Sequence, residues 1–261
     1  MSEEGMTNSA LLSSISSPEE LSRYLPLDRT RRGDIETVSR RYPFRIPPFY
    51  ANLIRESGDA GPLGRQAIPA IDEVRDDGGG PDPLDETSIS VTPILLKRYP
   101  GRAVFLVSAE CAMYCRFCNR KRLVGKGWDP SDYYGKSLRA IREDNGLREI
   151  ILSGGDPLIL PGERLEYILS ELRAIERIKT VRLSTRLPVV SPLHISESHF
   201  QLLRKYGPLW IVVHINHPHE ITPEFSMVVR RLREEGHMLV SQTVLLRGVN
   251  NCSGILSRLF T

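Results

Sequence analysis

The chain has 261 residues, with 35 Lys and Arg against 32 Asp and Glu, a formal charge of +3. So balanced a charge gives no electrostatic ground for a nucleic-acid or membrane partner, and no apolar run approaches the ~20 residues of a membrane span. The start, Met-Ser-Glu-Glu-Gly, lacks the basic and apolar regions of a signal peptide. Together with cysteines expected to stay reduced, it points to the cytoplasm.

Residues 1–17 are polar and serine-rich and are expected to be disordered or frayed. Ser17-Pro18-Glu19-Glu20 reads as a capping box with proline at the first helical position. Up to about residue 75 the pattern is one of short helices broken by prolines. Residues 76–88 form a glycine- and proline-rich acidic linker. Residues 1–88 are therefore read as a helical N-terminal region, and 89–261 as an α/β domain.

From residue 102 short apolar runs alternate with helical stretches. The runs stand at 103–107, 149–152, 181–183, 210–213 and 239–240 continuing through 244–246. The helical stretches lie around 133–144, 162–175, 195–206 and 223–236, the last behind an N-cap pair, Thr222-Pro223. Buried strands alternating with helices predict βαβ units and a parallel sheet. A partial TIM-like (β/α) barrel fits better than an open doubly wound sheet, because the candidate functional residues follow strand C-termini. Residues 252–261 begin an amphipathic helix with no cap, polar tail or sixth strand after it, which reads as a truncation rather than a short docking helix.

Cys111, Cys115 and Cys118 are spaced to wrap a loop around a [4Fe–4S] cube. Cys252 is far off in sequence, so no local fourth ligand exists and one iron would stay open. A disulfide framework needs pairs, and a Cys₃His zinc site needs a histidine, the first of which is His194. After the second strand, Ser153, Gly154, Gly155 and Asp156 form a loop whose glycines admit close backbone approach to a ligand. Arg98 and Arg102 precede the first strand as phosphate-type forks or as a solvated face. Arg120, Lys121 and Arg122 follow the cysteines as a solvated turn, a nucleic-acid patch, or a grip on a substrate carboxylate. His214 and His217, after the fourth strand, and Gln242, on the fifth, complete one polar rim.

The cysteine triplet with Phe117 before its last member resembles the cluster loop of radical S-adenosylmethionine enzymes. The fuller set of phrases resembles lysine 2,3-aminomutase and its relatives. They are Arg98-Tyr-Pro-Gly-Arg102, Cys111 to Arg122, Leu152-Ser-Gly-Gly-Asp-Pro157, Ser184-Thr-Arg-Leu-Pro-Val-Val190, His214 to Glu220 and Gln242 to Asn250. The resemblance implies a [4Fe–4S] cluster on the three cysteines and reductive cleavage of S-adenosylmethionine to a 5′-deoxyadenosyl radical. It also implies 2,3-migration of an amino group on lysine or a related amino acid, with pyridoxal phosphate as second cofactor. Phe117 would lie against the adenine, Ser153 to Asp156 would bind the methionyl part, and His214 and Gln242 would complete that pocket. Arg98 and Arg102 would meet the pyridoxal phosphate group, and Arg120 the substrate carboxylate. A reductant such as flavodoxin or ferredoxin, and a homo-oligomer, are further expectations. The lysine that anchors pyridoxal phosphate in the family, in a glycine-rich segment toward the C-terminus, has no counterpart among these residues, so the chain is expected to be an inactive fragment. Two alternatives stay open, a radical enzyme without pyridoxal phosphate and a zinc-stabilised RNA-binding module.

Overall fold

The computed structural model describes residues 14–58, 61–75 and 78–261. The first thirteen residues, read above as part of a frayed start, lie outside the described residues. Helix α1 (Pro18–Leu21) opens with the expected capping box: the Ser17 side chain accepts from Glu20 N–H, while the Glu20 carboxylate takes Ser16 and Ser17 N–H. Helices α2 (Arg29–Arg41), α3 (Pro48–Ser57), and the single turns α4 (Gly64–Ala67) and α5 (Asp72–Arg75) follow. Their apolar faces do not form a core of their own. Leu21, Ile35, Tyr50 and Ile54 belong to the same buried cluster as the sheet residues Phe105, Leu152 and Leu183.

One seven-stranded sheet carries the rest. Its strands are β1 (Ser90–Thr92), β2 (Leu95–Tyr99), β3 (Arg102–Ser108), β4 (Glu149–Gly154), β5 (Thr180–Thr185), β6 (Trp210–His214) and β7 (Met238–Gln242). They lie side by side in chain order, β1 to β3 antiparallel and β3 to β7 parallel. A doubly wound sheet reverses strand order at a switch point; an unbroken order winds in one direction, as a barrel does. The sheet is not closed, and it is a partial TIM-like fold.

Helices α6 (Tyr134–Glu143), α7 (Gly162–Arg173), α8 (Leu187–Val190), α9 (Glu197–Lys205), α10 (Pro223–Glu234) and α11 (Ser253–Phe260) occupy the connections and the end. Thr222 caps α10, its hydroxyl accepting from Phe225 N–H. Burial alternates along β5 and β6: Val181, Leu183, Ile211 and Val213 are buried, whereas Ser184 and His214, on the other face, are half-buried. No helix among the described residues is long and apolar enough to cross a membrane.

Two elements differ from expectation. Arg98 and Arg102 flank a hairpin: Tyr99 pairs with Arg102 across Pro100 and Gly101, and β1 adds on beyond. The last strand stops at Gln242, short of Leu246, because side chains capture the next backbone groups. Val244 N–H donates to Asn216 Oδ1 at 2.9 Å, and Leu246 N–H donates to Asn250 Oδ1 at 2.7 Å.

A buried polar network ties the N-terminal helices to the C-terminal rim of the sheet. Glu220, fully buried, accepts from Tyr50 Oη, Arg186 Nη2 and Asn216 N–H, each at 2.7 Å, and from His217 N–H at 3.0 Å. Burial disfavours its charge, but Arg186, Tyr50 and the two amides hold the carboxyl below the ordinary range. Tyr50→Phe should therefore cost about 1.5–3 kcal/mol, the worth of a hydrogen bond to a charged group, read as a lower urea midpoint at unchanged m-value; an unaltered midpoint would show that Tyr50 contributes packing alone.

Candidate active site

The loop between β3 and α6 carries the three cysteines, and its course is set from outside. Tyr114 N–H donates to Arg45 O and Arg116 N–H to Gln66 O, so the N-terminal segments hold the loop by its backbone. Arg45 Nη1 reaches Glu110 at 2.7 Å and Cys111 O at 3.1 Å. Below the loop, Gly154 at φ +114° and Gly155 pass so close to 108–110 that no side chain fits. Gly155 N–H donates to Ser108 O at 2.6 Å and Asp156 N–H to Glu110 O at 2.8 Å.

These contacts border a cavity of about 370 Å³ at the C-terminal ends of the parallel strands. Cys111, Cys115, Phe117, Cys118 and Arg120 line it from the loop, Ser153 to Asp156 from β4, and His214 and Gln242 from the ends of β6 and β7. Nine of the expected side chains thus meet across four separate stretches, besides Gly154 and Gly155 with backbone alone. A larger groove of about 540 Å³ between α7 and α9 contains none of them.

Phe117 sets its ring edge-on to His214 at 5.4 Å between centroids. Burial, then the nearby Arg186 charge, pulls the His214 imidazole down to about 3, so it is neutral near pH 7. Its buried Nε2 has no protein partner, an orphaned group that a bound molecule would satisfy. Burial pushes the Cys111 thiol well up, with Asp156 adding to it, and burial followed by Cys115 pushes Cys118 up. Metal ligation would displace their protons.

Three soft thiols in one wall suit an iron–sulfur cluster. Among the described residues no three His, Cys, Asp or Glu side chains come together around a point where a single metal ion could be held, the convergence a closed zinc site requires. The basic run is not a free patch either. Arg116 and Lys121 pair with Glu73 at 2.8 and 2.6 Å, Arg120 pairs with Glu86 at 2.7 Å, and Arg122 reaches Glu86 at 3.0 Å and Asp82 at 3.3 Å. Each cation that an RNA backbone would need already has a carboxylate.

Some expected positions take different work. Arg98 and Arg102 stand beside the turn at the far end of β3 from the cysteines, Arg98 donating to Leu84 O and Arg102 pairing with Glu149 at 3.1 Å. Neither reaches the cavity, because the hairpin turns them away from the rim. Asp156 lines the cavity, yet its carboxylate is spent inward on Thr185 Oγ1 and the N–H groups of Leu158, Arg186 and Leu187. His217 caps the turn at 218–220 and packs on His219 rather than facing the cavity. Missed in sequence were Arg186 and Glu86. Arg186 stands directly after β5 in the Ser184-to-Val190 phrase, a position that could have flagged it.

Gly155→Ala would place its Cβ against Glu110, with the Glu110 carbonyl carbon at 2.6 Å and its nitrogen at 2.7 Å. Both obstacles are backbone, so the cysteine loop must shift. Strain of about 1–3 kcal/mol and loss of iron binding are expected, measured by thermal unfolding and iron content; full iron loading at unchanged Tm would refute the close approach.

Comparison with known proteins agrees with this geometry. Residues 105–253 match the radical SAM superfamily. The chain is 38% identical over 248 residues to L-lysine 2,3-aminomutase of Clostridium subterminale, covering 94% of this chain and 60% of that protein. It is 35% identical over 239 residues to glutamate 2,3-aminomutase of Clostridioides difficile, covering 91% and 57%. With L-lysine 2,3-aminomutase of Buchnera aphidicola it shares 32% identity over 253 residues, covering 95% and 74%. The chain spans about 60% of the length of the first of these relatives. With its cysteine loop, glycine pair and one-way parallel sheet inside the matched region, the chain belongs to the radical SAM superfamily and, within it, to the lysine 2,3-aminomutase family.

Proposed function

We propose that this chain builds the radical-generating site of a 2,3-aminomutase acting on lysine or a related amino acid. The observation that carries the reading is the single cavity shared by Cys111, Cys115 and Cys118, the Ser153–Gly155 segment, and the Phe117–His214 ring pair. When bound there, a [4Fe–4S] cluster and S-adenosylmethionine supply a one-electron cleavage that yields a 5′-deoxyadenosyl radical. The chain's own part is to hold and to shield. The three thiolates bind the cluster and leave one iron open. The β4 glycines let backbone groups come within reach of the methionyl end. Phe117 and neutral His214 offer an aromatic edge and one unpartnered nitrogen to the nucleoside, and Gln242 stands at the lip.

Arg120 supports the substrate side of the reading. Its Nε and Nη2 are held by Glu86, while Nη1 reaches Ser153 Oγ at 3.3 Å inside the cavity. One guanidinium edge thus remains directed toward the place where an amino-acid carboxylate would sit. Pyridoxal phosphate fits these residues less well: no lysine is among those lining the cavity, and Arg98 and Arg102 lie elsewhere. The thiols require a reducing compartment, which favours the cytoplasm, and the cleavage requires a low-potential one-electron donor such as flavodoxin or ferredoxin.

Anaerobic reconstitution should yield about four irons and four sulfides per chain, a paramagnetic signal on reduction, and 5′-deoxyadenosine from S-adenosylmethionine. Cys115→Ala should abolish that cleavage. One zinc per chain and colourless protein would instead favour the binding-module alternative. Arg120→Ala should weaken binding of L-lysine or L-glutamate by on the order of 2–4 kcal/mol, with Arg120→Lys retaining part of it; calorimetry showing equal affinity in all three proteins would remove Arg120 from that role.

A further inference from the structure

Arg186 is buried, with 8% of its side chain exposed. Its Nη1 lies 2.7 Å from Cys115 Sγ, and its Nη2 donates to Gln66 Oε1 at 2.6 Å and Glu220 Oε1 at 2.7 Å. The guanidinium also stands over the Phe117 ring, 5.3 Å from its centroid. Burial works against its charge, but Cys115 and Glu220 hold it firmly cationic. Stability alone does not require such a group, since buried ion pairs are often no better than well-packed apolar replacements. What an apolar residue could not supply is a fixed positive charge and an N–H donor aimed at the sulfur of the middle cysteine.

We propose that Arg186 is a positioning residue for the iron–sulfur cluster, its Nη1–H donating to the Cys115 thiolate and thereby raising the cluster's reduction potential. The inference rests on the cluster reading above and deepens it. Reduction adds one negative charge to the cluster, and a hydrogen bond and cation at a ligand sulfur stabilise that state more than the oxidised one. Glu220 fixes the guanidinium from behind, and Tyr50 fixes Glu220, so the setting of the potential reaches back to α3. The same anchorage keeps Phe117 in place beneath the guanidinium.

The test uses the reconstituted chain with EPR-monitored reduction at a series of fixed potentials. Arg186→Lys and Arg186→Met should each bind iron and sulfide. At a given potential the ratio of reduced to oxidised cluster in the Met variant should fall roughly tenfold relative to wild type, a shift of 59 mV for a one-electron couple; the Lys variant should fall between. Because the Met variant leaves Glu220 unpaired and could unfold, a second measurement needs no variant. Reduced wild-type protein labelled with ¹⁵N-arginine should show nitrogen coupling to the cluster spin by pulsed EPR. Absence of that coupling, or equal potentials in folded variants, overturns the role of Arg186 while leaving the cluster intact. Wild-type protein that assembles no cluster fails earlier and overturns the proposed function together with this assignment.

Discussion

The buried pair between Arg186 and Glu220 is the constraint on which the rest of the rim depends. Two charges removed from water cost several kcal/mol each unless their donors and acceptors find partners, and of the guanidinium nitrogens of Arg186 only Nε goes without one. Here Glu220 takes four hydrogen bonds and Gln66 Oε1 takes two, from Arg186 and from Asn216 Nδ2 at 2.9 Å. Those partners come from α3, α4, and the segments after β5 and β6. Asn250 extends the set to the segment after β7, donating to Asn216 O and Val244 O at 2.9 Å. No single element of the rim can move without exposing a buried charge or amide. A cavity whose walls come from separate loops is thereby held as rigidly as one built on a single strand.

The cysteine loop gains its order the same way. It has no regular secondary structure between β3 and the turn at Pro130–Tyr133. Its backbone is pinned by Arg45 and Gln66, its cations by Glu73, Asp82 and Glu86, and its floor by the glycines of β4. The carboxylates both neutralise the loop and leave one edge of Arg120 facing inward. Preorganisation of this kind lets a site receive a cofactor with little rearrangement.

Much of this was legible in the sequence because it is local. The apolar runs gave β3 to β6 within a residue or two, and the capping signals at Ser17 and Thr222 placed two helix starts. The cysteine spacing and the glycine pair identified two walls of the cavity. What sequence could not show is long-range pairing. Glu73 and Glu86 meet cations 34 to 48 residues away, and nothing local distinguishes Glu86 from other acids in a glycine-rich stretch. Arg98 and Arg102 looked like paired phosphate forks, but Pro100 and Gly101 between them make a two-residue hairpin connection. Arg186 sat in plain view after β5; only the fold reveals that its guanidinium turns toward a sulfur contributed 71 positions earlier.

The hairpin has an architectural corollary. By covering the outer edge of β3 with antiparallel β2 and the three-residue β1, it acts as a stopper on one flank of the sheet. A strand so short offers little template for addition. The edge of β3 is thereby closed to a parallel neighbour, and among the described strands the open edge of the parallel array is that of β7, on which Gln242 stands.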